Sequence, residues 1–258
     1  MPSSDRRSDS WDLNPRTTLP RLLAANARVL PQGVAFREKD RGIWQETTWQ
    51  TAHDKTLRCA AGLQALGLRK GQTVLVLGDN RPHLYLGMLA VGMLGGFATP
   101  VYPDATPEEI LHVVNSVHVQ FVLAEDQEQV DKALDLRERG APLQHIVYDN
   151  PRGLSKYSAP GLVSWATLQG AGAARLQESP ALGQHLLDIA SPNDPAVLIH
   201  SSGTTGKPKG VALSHHNVLS GVANAFKAES FEFNENILAY LPMAWVGDFA
   251  ITVGAGVG

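Results

Sequence analysis

The chain has 258 residues, 43% of them hydrophobic and 18% charged, which excludes overall disorder and allows a sizeable core. Its net charge of −3 leaves no electrostatic footprint for nucleic acid. One cysteine, Cys59, excludes an internal disulfide framework and reads as a small apolar residue in a helix.

Met1 to Arg16 is rich in Ser, Asp and Arg and reads as a flexible tail without the apolar run of a secretory signal. Leu19–Val29 has helical spacing. Val34–Phe36 and Ile43–Thr48 read as strands joined by the turn residues Lys39 to Gly42, and Thr48 as the cap of a helix through Leu66, stopped by Gly67. Thr73–Leu77 is a continuous apolar strand that ends in Gly78, Asp79 and Asn80, after which Pro82 opens a helix. The stretch from His83 to Ala98 is too short and too glycine-rich to span a bilayer, which leaves the cytoplasm as the expected compartment.

The alternation then repeats. Phe97–Val101 is a strand, and Thr106 with Glu109 has capping-box spacing for a helix to Ser116. Val119–Leu123 reads as a strand, Asp126–Arg139 as a helix and His145–Tyr148 as a strand. Strands apolar throughout, alternating with helices, imply an α/β fold with parallel pairing and helices on both faces. The composition of Asn150–Pro192 reads as a connector with one short helix around Trp165–Leu168. Ala196–His200 is a further strand, followed by a loop, a short strand Val211–Leu213, and a helix from His216 to Lys227 capped by Ser214 or Asn217. Ile237–Leu241 reads as the last strand, ending at Pro242.

The loop after His200, SSGTTGKPKG, has the composition of a phosphate cradle. It is not a Walker A loop. Pro208 follows Gly206-Lys207, and the residue five before Gly206 is Ser201 rather than glycine. Pro208 also bars Lys207 from a helix opening on the phosphate, so binding falls to backbone N–H groups, hydroxyls and one lysine acting as a point charge.

Ser201 to Gly210 resembles the phosphate-binding signature of the adenylate-forming enzymes, which include acyl-CoA synthetases, luciferases and peptide-synthetase adenylation domains. The resemblance runs from about residue 19 onward. Thr48-Trp49 falls where that family has an early Thr/Ser-aromatic element. Phe97 to Ile110, with Asn115-Ser116 and Glu125 to Gln127, is similar to the long-chain fatty acyl-CoA synthetase branch. Ser214 to Asn217 resembles the Thr-His-x-Asn after the loop, and Tyr240 to Trp245 the element bordering the acyl and nucleotide pockets. His200 stands where the family usually has Tyr, and Trp245 where many members have His. The later Tyr-Gly-x-Thr-Glu element, whose Glu helps to hold magnesium, the ribose-binding Asp and the mobile domain with its Lys are not among these residues.

The resemblance implies that residues 17–258 form the front portion of the AMP-binding large domain, an α/β fold of mixed sheets with helices on both faces. It implies an AMP-forming ligase that activates a long-chain fatty acid with ATP and Mg²⁺ and passes the acyl group to coenzyme A. In that reading Lys209 is catalytic, and Ser201, Ser202, Gly203, Thr204, Thr205, Gly206 and Lys209 hold the nucleotide phosphates. Met243 and Trp245 line the acid pocket, no residue here is assigned as a metal ligand, and peripheral association with the inner face of the membrane fits a lipid substrate. A polypeptide of these residues alone is expected to be inactive. Two alternatives stay open: adenylation of another acid or for another acceptor, and a non-catalytic nucleotide-binding module. His215 and His216 lack partners at metal spacing, and Gly254, Gly256 and Gly258 precede no helix, so neither group is taken as a site.

Overall fold

The computed structural model describes residues 17–201, 209–228 and 235–257. The expected N-terminal tail lies outside them. Helix α1 (Leu19–Val29) precedes an antiparallel ribbon of β1 (Val34–Asp40) and β2 (Ile43–Thr48), and α2 (Trp49–Ala65) follows. The first strand is longer than expected, because its polar second half pairs with β2 and turns at Arg41-Gly42, both at positive φ. Thr48 caps α2 by accepting from the Thr51 N–H, as its position before the helix suggests.

The main sheet has β3 (Thr73–Leu77), β4 (Phe97–Val101), β5 (Phe121–Ala124), β6 (His145–Tyr148), β7 (Leu162–Ser164), β8 (Pro195–Ser201) and β9 (Lys209–Ser214). Their spatial order is β7-β6-β5-β3-β4-β8-β9. All neighbours are parallel except β8 and β9, which pair antiparallel at the edge, so the sheet is mixed, as the resemblance implies. A short connection suffices there because the chain reverses instead of crossing over through a helix.

The period of two along a strand builds two cores. Val74 and Val76 of β3 face α2, α3 (Pro82–Met93) and α6 (Trp165–Glu178), together with α1, α7 (Leu182–Ile189) and α8 (His215–Ala228). Leu75 and Leu77 face α4 (Pro107–Ser116) and α5 (Gln127–Glu138). Helix α3 is buried from Leu84 to Met93 between sheet and outer helices, so it is apolar all round. Thr106 and Glu109 complete the capping box that opens α4.

Two expectations fail. The stretch from Asn150 to Pro192 is not a connector, since it holds β7, α6 and α7. Gly172 is a packing device, since a Cβ there would lie 1.8 Å from the Arg58 carbonyl; facing it in α2, a Cβ on Gly62 would lie 2.6 Å from the Leu168 carbonyl. Helices α2 and α6 therefore cross at backbone contact. Ile237–Leu241 is not a strand either, for it pairs with no described strand and leaves Leu238 76% and Tyr240 73% exposed. After it come a short turn of helix, α9 (Val246–Asp248), and a π-helical stretch, Phe249–Ala255.

Candidate functional site

In a parallel sheet of this order, the connections run to one side of β3 through β4 and to the other through β5. The generic ligand crevice is thus at the carboxyl ends of β3 and β5. Here the chain fills it. Gly78, at φ +150°, leaves β3 so close to Glu125 that a Cβ would lie 2.5 Å from the Glu125 Cβ. The Glu125 carboxylate accepts from the Asp79 N–H at 2.7 Å and from Arg81 Nε at 2.6 Å, and Arg81 also pairs with Glu38 of the ribbon at 3.3 Å. This knot ties ribbon, turn and sheet together.

Beside β3 at the same edge of the sheet stand β4, β8 and β9. Ala98 pairs with Val197, and equal steps along these parallel strands bring Val101 level with His200. Thr99 Oγ1 donates to the Leu198 carbonyl at 3.0 Å and lies 3.3 Å from His200 Nδ1, which fixes the imidazole. Burial, and then the nearby His112, holds His200 below its ordinary value, so the ring is neutral. Its Nε2 has no partner among the described residues.

Ser201 ends β8 and stands in register with Lys209, the first residue of β9. Lys209 is exposed. The predicted phosphate-binding residues Ser202, Gly203, Thr204, Thr205 and Gly206 lie outside the described residues, between these two fixed ends. Ser214 opens α8 as its cap: its hydroxyl accepts from the Asn217 backbone N–H, while the Asn217 side-chain Oδ1 accepts from the Ser214 N–H and hydroxyl.

The two predicted acid-pocket residues differ in place. Met243 is buried in the core below the edge, whereas Trp245 is half-exposed. The Trp245 indole N–H donates to the hydroxyl of Tyr102, which directly follows β4. Trp245 and the ends of the phosphate loop therefore stand at one edge of the sheet. The residues that sequence reasoning missed are Asn80, Tyr85 and Asp248. The Asp248 carboxylate is fully buried and accepts from the Tyr85 hydroxyl at 2.9 and 3.0 Å and from the Thr252 hydroxyl at 2.9 Å. A lone acid in the apolar run from Met243 to Val257 is the one signal that could have found it.

His215 is buried, with its Nδ1 accepting from the Leu19 N–H at 3.4 Å, so it braces α1 against α8. Cys59 is buried in α2, where burial pushes its thiol up and keeps it unreactive. Among the described residues no three His, Cys, Asp or Glu side chains converge on a metal seat. No described helix is long and apolar enough to cross a membrane.

The profile of the AMP-binding enzyme family matches residues 23–257. Over 236 residues the chain is 26% identical to the long-chain-fatty-acid–CoA ligase ACSBG2 of Xenopus laevis, covering 90% of this chain and 31% of that protein. Over 200 residues it is 31% identical to 4-coumarate–CoA ligase 4 of Arabidopsis thaliana, covering 76% and 33%. The acetoacetyl-CoA synthetase of Streptomyces lividans shares the fold, with a TM-score of 0.78 over 93% of this chain and 36% of that one at 21% identity. The chain spans about a third of the length of the curated relatives it matches.

Proposed function

The chain belongs to the AMP-binding enzyme family, and from that premise we propose that it carries the phosphate loop of an AMP-forming acid–CoA ligase acting on long-chain fatty acids. A carboxylate oxygen attacks the α-phosphorus of ATP, and the α–β P–O bond breaks with its electron pair leaving on pyrophosphate. The thiol of coenzyme A then attacks the acyl carbon, and AMP leaves. The first step needs no protein nucleophile, and buried Cys59 offers none. It needs charge where pyrophosphate departs. The observation that carries the reading is the β8–β9 register: Ser201 opposite Lys209 makes residues 202–208 a loop with both ends held at the sheet edge and an ammonium at its base.

Magnesium is proposed to accompany ATP, with no seat assigned among the described residues. For the acid, the similarity of Phe97 to Ile110 to the long-chain branch and the ACSBG2 relative favour a fatty acid. The 4-coumarate–CoA ligase relative favours a second reading, an aryl acid. A cytoplasmic enzyme touching the inner membrane face suits the first. The test is a panel of acids with ATP and coenzyme A, using the protein as the cell makes it. Fastest acyl-CoA formation with long-chain acids supports the proposal, preference for hydroxycinnamates supports the second reading, and ATP binding without turnover of any acid indicates a non-catalytic nucleotide-binding module.

A further inference from the structure

We infer that Asn80 is the clasp that positions the acid-pocket loop, holding residues 241–248 closed at their base so that Trp245 projects at the sheet edge; this rests on the acid-ligase reading above. Asn80 sits in the turn that leaves β3, a turn already tied to the sheet through Glu125. Its side-chain N–H₂ group donates to the Leu241 carbonyl at 2.9 Å and reaches the Asp248 carboxylate at 3.5 Å. One amide therefore spans the first and last residues of the loop.

The closing end is fixed in turn. The Tyr85 hydroxyl, on buried α3, reaches both oxygens of Asp248, and the Thr252 hydroxyl reaches one. Asp248 has no exposed surface, and burial raises its carboxyl above the ordinary value against the lowering by its two hydroxyl donors. A buried carboxylate with several donors tolerates little displacement, because each lost donor leaves an uncompensated acceptor.

Inside the clasp the loop is wound tightly. The Trp245 N–H donates to the Pro242 carbonyl at 2.9 Å, and the Asp248 N–H to the Trp245 carbonyl at 3.1 Å. Met243 is sunk in the core as a plug. With both ends and the plug held, the remaining freedom of the loop is the outward direction of Trp245, which rests on Tyr102. Asn80 is thus a positioning residue: it touches neither acid nor nucleotide in this account, yet it sets where the pocket wall stands.

The test labels the protein, as the cell makes it, with 5-fluorotryptophan and assigns Trp245 by Trp245→Phe. Asn80→Ala is expected to move the Trp245 fluorine resonance while the other tryptophan resonances stay in place. It should raise KM for the preferred acid about tenfold with KM for ATP nearly unchanged, the effect of one anchoring hydrogen bond lost. On a Trp245→Ala background, Asn80→Ala should add no further change in acid preference. An unmoved Trp245 resonance, or an undiminished change of preference without Trp245, would overturn the clasp. If Asn80→Ala disturbs every tryptophan resonance, Tyr85→Phe decides, since it removes one hydroxyl and keeps the packed ring: Trp245 alone must then shift, and an unmoved Trp245 refutes the proposal. A protein that turns over no acid refutes the ligase reading, while the resonance still decides the clasp.

Discussion

His215 joins the chain's first helix to the helix behind the phosphate loop, and its charge state matters to stability. Burial lowers it from 6.5 to about 4, partly countered by Asp194, so the folded protein holds it neutral. The unfolded chain takes up a proton below about pH 6.5, the ordinary histidine value. Stability from this group is therefore complete above that pH and is lost as pH falls from there toward 4, with no further loss below. The full amount is about 3 kcal/mol at 1.4 kcal/mol per pH unit. The urea midpoint of the wild type is expected to fall between pH 7 and pH 4.5, and that of His215→Gln to fall less over the same range. Parallel curves would show that His215 is not held neutral by the fold.

At the scale of elements, the α2–α6 crossing makes a sharp prediction because two glycines of one helix differ in surroundings. A Cβ on Gly172 collides with the Arg58 carbonyl, whereas one on Gly170 meets nothing within 4 Å. Gly172→Ala should lower the urea midpoint by the equivalent of about 2 kcal/mol or more, as overpacking does. Gly170→Ala should raise it by up to about 1 kcal/mol through helix propensity. A neutral Gly172→Ala would mean that the helices do not touch there. These glycines also explain what the sequence concealed. Gly and Ala through residues 150–192 have the composition of a linker, and only the partner helix reveals Gly172 as a contact residue. The strands β3, β4 and β6 were legible because burial in the middle of the sheet makes them predominantly apolar. Ile237–Leu241 was misread because an apolar run encodes strand preference but not a neighbour to pair with. Of the site, the ordered string from Ser201 to Gly210 carries the phosphate-loop reading in the sequence alone, since residues 202–208 lie outside the described residues. The pairing of Asn80 with Asp248, 168 residues apart, was not, since nothing local to either residue announces it.

For the whole molecule, the sheet order puts Ser201, Lys209 and Trp245 at one edge, beside the turn after β3 that Glu125 ties down. The relatives devote about two thirds of their length to residues beyond those matched here. Residues 1–258 expressed alone are expected to form no acyl-CoA from ATP, acid and coenzyme A, and to associate through exposed Leu238 and Tyr240. A monodisperse sample that turns over fatty acid would contradict this. The central claim is that the loop from Ser201 to Lys209 stabilises departing pyrophosphate, and the most direct measurement is acid-dependent exchange of labelled pyrophosphate into ATP by the protein as the cell makes it. Exchange that requires the acid and falls about a hundredfold or more in Lys209→Ala is the predicted result, the effect of removing one preorganised charge from the transition state; exchange undiminished in Lys209→Ala, or absent from the wild type with every acid tried, would contradict the account.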